Sequence, residues 1–339
     1  MKTERLGRTG LEVPIVGLGT GFIGIADANR AATEYDFMES WTTDRPMSSG
    51  EAPPRSSHMK AELGIETVHA AIEAGSTLID TAPLYGSGNS ESIIGEALRQ
   101  RPDLAERCTI TTKVGQTAAG PDHSYDAVMR HVEESRQRLG IDAFDVLYIH
   151  DAMDIPREEV MGKDRALGAL RKLQDTGVTR FVGTATNDPH TNAWYIETGE
   201  FDAAVVPEAL SLINQLAEDR ILPAAVRHDV GLVIATPVER GLLATGPTDG
   251  INYLARSFSQ SCLDHVASVQ DLCNGHGVPL VAAALQWCTR HPQVTATIPG
   301  ARVPAEARAN AAAGDVEIPE TFWTELAPLI RHFEADVHR

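Results

Sequence analysis

Long apolar runs are missing from this 339-residue chain. No stretch of 18 apolar residues occurs, which argues against a membrane-spanning helix, and the opening MKTERLGRTGLEVP has no apolar signal core, so a cytoplasmic protein is expected. Cysteine is scarce. Cys108, Cys262, Cys273 and Cys288 form neither a C-x-x-C pair nor a dense spacing, so reduced thiols are expected rather than a disulfide framework. Twelve histidines contain no H-x-H and no HExxH, and no metal is implied. Basic clusters are absent too. With a net charge of −18 and no Lys/Arg-rich stretch, the chain lacks the makings of a nucleic-acid groove or an anionic-membrane anchor. Its expected partner is a small molecule, and monomer and homo-oligomer both stay open. Neither an internal repeat nor a clean linker divides the sequence, so one domain over 1–339 is expected.

What the chain does have is alternation. After an opening segment where Gly7, Arg8, Thr9 and Gly10 suggest a hairpin turn, PIVGLGTG reads as the first core strand. The stretches STLID, CTITTK, FDVLYIH, RFVGTATN, AAVV, GLVIATP and TATIPG supply seven more, separated by helical segments such as ELGIETVHAAIEAG and RALGALRKLQDTG. The helix after Ser124 is the clearest, with Val128, Val132 and Leu139 on one face and Ser124 as N-cap. Eight strand-helix units predict an α/β fold closed as a (β/α)8 TIM barrel with an N-terminal β-hairpin. An open nucleotide-binding sheet would carry G-x-G-x-x-G between its first strand and a helix, and GLGTGFIG runs instead into a long insertion. Between about residues 26 and 59 the composition turns to Ser, Thr, Pro, Asp and Glu, which predicts a long insertion after the first strand.

Asp80, Lys113 and His150 close successive apolar runs, and Tyr85 follows Asp80 by five residues. In a parallel barrel the carboxyl ends of all strands face one mouth, so these residues converge there. Tyrosine is a poor proton donor at neutral pH, its reference pKa being ~10. A neighbouring Lys113 ammonium would favour phenolate and lower that pKa, Asp80 would hold the ammonium, and His150 would orient or shuttle at the reacting oxygen.

The segments RLGRTGLEVPIVGLGTG, LIDTAPLYGSGNSESIIGEALR, TTKVG, SYDAVMRHVEESRQRLGIDAFDVLYIHD, RGLLATG and IPGARVPAEARAN stand in the order of an aldo-keto reductase, which the chain resembles over nearly its full length. The resemblance maps the family's catalytic tetrad onto Asp80, Tyr85, Lys113 and His150. Within the family the chain is similar to the aldose 1-dehydrogenase branch, which includes L-fucose or D-threo-aldose 1-dehydrogenase, L-galactose dehydrogenase and pyridoxal 4-dehydrogenase. The implied cofactor is NAD or NADP, stretched across the barrel mouth. Gly19 and Thr20 match positions beside the nicotinamide ribose, and Asn187 matches an asparagine that binds the carboxamide. Gly241 and Leu242 fall in the loop over the pyrophosphate, and Gly300, Ala301, Arg302, Glu306, Arg308 and Asn310 fall at the adenosine end.

Three departures from the family pattern bear on function. Leu210 stands where an aromatic usually stacks on nicotinamide, with Pro207 in place of a carboxamide-binding glutamine. Gly300 and Glu306 replace the lysine and arginine that many members place against the 2′-phosphate, which inclines the expectation towards NAD. The third is the insertion. The resemblance implies oxidation of a small aldose or similar hemiacetal to a lactone; the alternatives are an NADPH-dependent aldehyde or ketone reductase and a cofactor-sensing regulatory subunit like the potassium-channel β-subunits.

Overall fold

The computed structural model describes residues 1–25, 59–248, 253–254 and 256–334. Apart from Met59, the insertion expected at 26–59 lies outside the described residues. Among the described residues twelve strands follow in order: β1 (Thr3–Arg5), β2 (Glu12–Pro14), β3 (Leu18–Gly19), β4 (Leu78–Asp80), β5 (Thr109–Val114), β6 (Gln116–Thr117), β7 (Gly120–Pro121), β8 (Phe144–His150), β9 (Thr179–Ala185), β10 (Ala203–Pro207), β11 (Gly231–Ala235) and β12 (Val294–Ile298).

Eight of them, β3, β4, β5 and β8 to β12, lie side by side in a parallel sheet. The sheet curls until its first and last strands meet. Parallel bridges join Val16 to Thr297 and Gly19 to Gly300, with Gly17 N–H donating to the Thr297 carbonyl at 2.8 Å and Thr297 N–H donating to that of Ile15 at 2.9 Å. This is the expected (β/α)8 barrel. The helices ring it, and Pro304–Gly314 packs back against Ala61–Glu73 to complete the circle.

The hairpin of β1 and β2 turns through Gly7 and Gly10, both at positive φ, and covers the amino-terminal end of the barrel. Leu6, Leu11 and Val13 reach into the interior alongside Leu78, Val146, Tyr148, Val205 and Val233, and Arg8 N–H donates to the Asp229 carbonyl at 2.7 Å. With that end plugged, the carboxyl ends of the strands are left as the mouth. A short hairpin, β6 with β7, adds to the loops after β5; the sequence pattern did not predict it.

Side-chain parity explains which residues face inwards. Successive residues of a strand alternate between faces, so Leu78 and Asp80 share the interior face of β4 while Ile79 packs outwards against the helices. On β8 the same parity groups Val146, Tyr148 and His150. Ser124 caps its helix as expected, its Oγ accepting from Ala127 N–H at 3.3 Å. None of the four cysteines is in a disulfide.

Barrel closure makes one position testable. A Cβ on Gly17 would lie 2.6 Å from the Leu78 carbonyl oxygen and 3.0 Å from Leu78 Cβ, so the closing strand has no room for it. Gly17→Ala is expected to lower stability by about 1–3 kcal/mol, the usual penalty for overpacking. A urea midpoint equal to the parent's would contradict this.

Candidate active site

At the mouth, β4 and β5 are hydrogen-bonded neighbours, which brings Asp80 beside Lys113. Lys113 Nζ donates to Asp80 Oδ1 at 2.5 Å and to the Thr81 carbonyl at 2.8 Å; Asp80 Oδ2 accepts from Thr111 Oγ1 at 2.9 Å. Only 2% of the lysine side chain and 3% of the aspartate side chain are exposed, so water screens their attraction little. Burial by itself would discharge the lysine, but the Asp80 carboxylate and the Tyr85 phenol beside it hold its pKa above the ordinary value.

Tyr85 leaves the barrel directly after β4, at the head of a tight turn, Tyr85–Gly88, whose Gly86, Ser87 and Gly88 all have positive φ. Such a run is tolerable because two of the three are glycine. The turn returns the half-buried Tyr85 ring over the ion pair, with Lys113 Nζ 4.6 Å from the ring centroid. The His150 ring stands edge-on to it, 6.1 Å away between centroids. The tetrad residues are thus assembled at one end of the barrel. One expectation needs correcting: the phenol is not made acidic. Desolvation pushes it up from its ordinary value, Lys113 pulls it down, and Asp80 and Asp151 push it up again. The physical reason is that the ammonium is already compensated by Asp80, so its field at the phenol is too weak to offset burial.

His150 is buried, and its pKa lies well below the ordinary histidine value because of that burial, then the nearby Lys113 charge and His123. It is therefore a neutral imidazole. His123 Nε2 donates to the His150 carbonyl at 2.9 Å. Next along the chain, Asp151 has φ of 42° and turns its carboxylate onto Asn187: Oδ1 accepts from Asn187 N–H at 2.8 Å and Oδ2 from Asn187 Nδ2 at 3.0 Å.

The residues expected to hold a cofactor occupy the same end of the barrel in different states of exposure. Gly19 continues β3 and is bridged to Gly300. Thr20 is buried and donates its hydroxyl to the Asp80 carbonyl at 2.9 Å, so it braces the ion pair. Gly241, at φ of 104°, and exposed Gly300 have no atom of the described residues beyond their chain neighbours within 4 Å of where a Cβ would stand, which leaves their backbones approachable. Leu242 and Ala301 are buried. Asn310 Nδ2 donates to the Gly300 carbonyl at 3.1 Å, and Arg308 is exposed. Arg302 is committed: its guanidinium donates to Glu306 Oε1 at 2.5 Å, and its backbone N–H donates to Oε2 at 2.8 Å. Leu210 is buried among Ala209, Ile221 and Leu222 and offers no open stacking face. Open glycine backbones, an amide at Asn187 and an exposed cation at Arg308 fit an extended anionic dinucleotide.

Sequence reading missed Asp151 and a buried charge cluster at the ends of β10 and β11. Glu208 accepts from Arg240 at 2.8 Å and Arg256 at 2.7 Å, and Glu239 from Arg256 at 3.2 Å and Ser211 at 2.6 Å. Burial pushes Glu239 up to about 7, whereas at Glu208 the two guanidinium groups outweigh burial and hold the carboxyl below its usual value. Glu208, Glu239 and Arg240 all have positive φ, so the cluster fixes an awkward backbone immediately before Gly241. Its signal in the sequence was the charged pair preceding GLL.

A closed parallel barrel with an Asp-Lys-Tyr-His group at its mouth defines a class that comparison with known proteins identifies. The chain belongs to the aldo/keto reductase family, which it matches over residues 47–331. It is 28% identical to the pyridoxal 4-dehydrogenase of Microbacterium luteolum, over 95% of each chain. It is 29% identical to a D-threo-aldose 1-dehydrogenase from a Pseudomonas species, over 77% of this chain and 85% of that one. Its relatives thus include the aldose dehydrogenase branch. A holo aldo-keto reductase from Bacillus halodurans shares the fold across 100% of both chains, with a TM-score of 0.75 and 22% identity. The protein is accordingly an NAD(P)-dependent oxidoreductase of small molecules.

The buried histidines have a measurable consequence. His123, His131 and His150 all have pKa values below the ordinary ~6.5, so below that pH the unfolded chain binds protons that the folded chain refuses. Stability therefore falls as pH drops through the unfolded value. Histidine ring NMR should show His150 neutral at pH values where a free imidazole is half-charged; a His150 midpoint at or above the ordinary value contradicts the assignment.

Proposed function

We propose that the protein moves a hydride between a nicotinamide cofactor and the C1 carbon of a small aldose or similar hemiacetal, converting sugar to lactone in the oxidative direction. The observation that carries this reading is the placement of Lys113 between Asp80 and the Tyr85 ring at the mouth of the barrel. Bound nicotinamide supplies the carbon that accepts or donates hydride. The chain's own residues handle the proton. Tyr85 takes it from the substrate hydroxyl in oxidation and returns it to the carbonyl oxygen in reduction, while Lys113 stabilises the phenolate form and Asp80 anchors Lys113. Neutral His150 donates a hydrogen bond to the reacting oxygen and adds no charge that would repel Lys113.

The raised phenol pKa gives the reductive reading a specific support. A protonated Tyr85 at neutral pH is ready to donate, which suits reduction of an aldehyde or ketone, whereas oxidation needs the phenolate. Oxidation is therefore expected to quicken as pH rises through the alkaline range, and reduction to slow. The similarity to a pyridoxal 4-dehydrogenase and a D-threo-aldose 1-dehydrogenase supports the oxidative reading.

For the cofactor we favour NAD. Glu306 neutralises Arg302, leaving Arg308 as the cation at this end for a 2′-phosphate, and a carboxylate there suits a free 2′-hydroxyl. Removing Glu306 releases Arg302, so Glu306→Ala should tighten NADPH relative to NADH by about tenfold, the worth of one charge-assisted contact. Fluorescence titration with both cofactors checks this, and an unchanged affinity ratio argues against it.

Tyr85→Phe tests the central role assignment. General acid-base help is worth ~10²–10⁴-fold, so the variant should lose turnover by about that factor in an initial-rate screen of aldoses, aldehydes and pyridoxal. Its NADH affinity should stay near the parent's. Parental turnover in the variant would remove Tyr85 from the proton path.

A further inference from the structure

We propose that Asp151 is a positioning residue that sets, with one carboxylate, both the outward face of Asn187 and the N–H side of the His150 ring; this rests on the functional reading above. A carboxylate only accepts hydrogen bonds. Because Asp151 receives the backbone N–H of Asn187 at 2.8 Å and its Nδ2 at 3.0 Å, the amide cannot be turned over without setting oxygen against oxygen. Asn187 Oδ1 is thereby the atom left to meet a ligand, an acceptor suited to a carboxamide –NH2. Had Asp151 been a donor, the same asparagine would present its –NH2 instead.

The carboxylate also faces the histidine. His150 Nε2 lies 3.7 Å from Asp151 Oδ2, too far for a hydrogen bond but near enough for the charge to favour the proton on that nitrogen. The other ring nitrogen, Nδ1, is buried without a hydrogen-bond partner among the described residues, and an N–H there would be left unsatisfied. Neutral His150 thus carries its proton on Nε2. It is a donor to the reacting oxygen, and the proton exchange is left to Tyr85.

The backbone of Asp151 is itself held at both its N–H and its carbonyl. Its N–H donates to the Ala185 carbonyl at 2.9 Å, extending the β8–β9 pairing by one residue, and its carbonyl accepts from Gln116 Nε2 of the β6–β7 hairpin at 3.1 Å. Its φ of 42° then bends the chain so that the side chain swings towards β9. One residue thereby couples the group that reads a cofactor amide to the group that orients the substrate. Among the described residues, the charged and titratable groups facing Tyr85 are Lys113, Asp80 and Asp151, and those facing His150 are Lys113, His123 and Asp151.

The test uses the full chain and three variants, Asp151→Asn, Asn187→Ala and the pair combined. Asp151→Asn keeps the shape, removes the charge and sets –NH2 against –NH2 unless one amide turns over. We expect NADH affinity, read by fluorescence, to fall about tenfold, as for loss of one well-aimed polar contact. In the combined variant the affinity should fall little beyond Asn187→Ala, because the two residues act as a unit. The pH midpoint of the oxidation rate should move to lower pH, since a negative charge that hinders Tyr85 ionisation is gone; a merely structural role would not shift it. Parental NADH affinity and pH midpoint in Asp151→Asn, or full additivity of the two losses, would overturn the proposal. A parent chain that binds neither NADH nor NADPH would instead overturn the functional reading on which it rests. Where circular dichroism shows Asp151→Asn unfolded, Asp151→Ser, which keeps an acceptor but no charge, takes its place with the same expected outcomes.

Discussion

Two opposite charges taken out of water together, Asp80 and Lys113, set the conditions for every other group at the barrel mouth. Either one buried alone would carry a desolvation penalty of several kcal/mol, and the pair is tolerable because adjacent strands hold it at contact with further hydrogen bonds from Thr111 and to Thr81. The barrel makes that possible. Register pairs Asp80 with Thr111, parity turns Asp80, Thr111 and Lys113 to one face, and the hairpin plug directs the interior's open end towards the carboxyl termini.

The same pairing limits what Lys113 does to its neighbours. A free ammonium would lower the Tyr85 phenol further; beside Asp80 it only softens the effect of burial. His150 feels the lysine as well, and repulsion adds to burial in keeping it uncharged. The site is therefore built around one internal salt bridge, with a protonated Tyr85, a neutral His150 and the Asp151 carboxylate beside it. Other charges near the strand ends follow a similar pattern, with Arg302 answered by Glu306 and Glu208 by Arg240 and Arg256.

Much of this was legible in the sequence because its signals are periodic or local. Polar residues closing apolar runs announced Asp80, Lys113 and His150; Gly7 and Gly10 announced the hairpin; Ser124 announced its helix. Eight alternating units announced closure, and the bridges from Val16 and Gly19 to the last strand supply it. What escaped depends on three-dimensional balance. The direction of the Tyr85 shift is a difference between burial and two opposing charges, which spacing cannot weigh. Asp151 meets Asn187 across 36 residues through a left-handed backbone that a non-glycine seldom adopts. The commitment of Arg302 to Glu306 likewise turns a residue expected to greet the cofactor into one that first greets its own chain.

The central claim is that Asp80, Lys113 and Tyr85 work as one proton-handling unit. Turnover of the double variant Asp80→Asn/Lys113→Met, set against the two single variants, tests it most directly. A unit predicts strong non-additivity, each single loss nearly as large as the double. Single effects that multiply to give the double would mean that the two charges act independently, and would contradict the account.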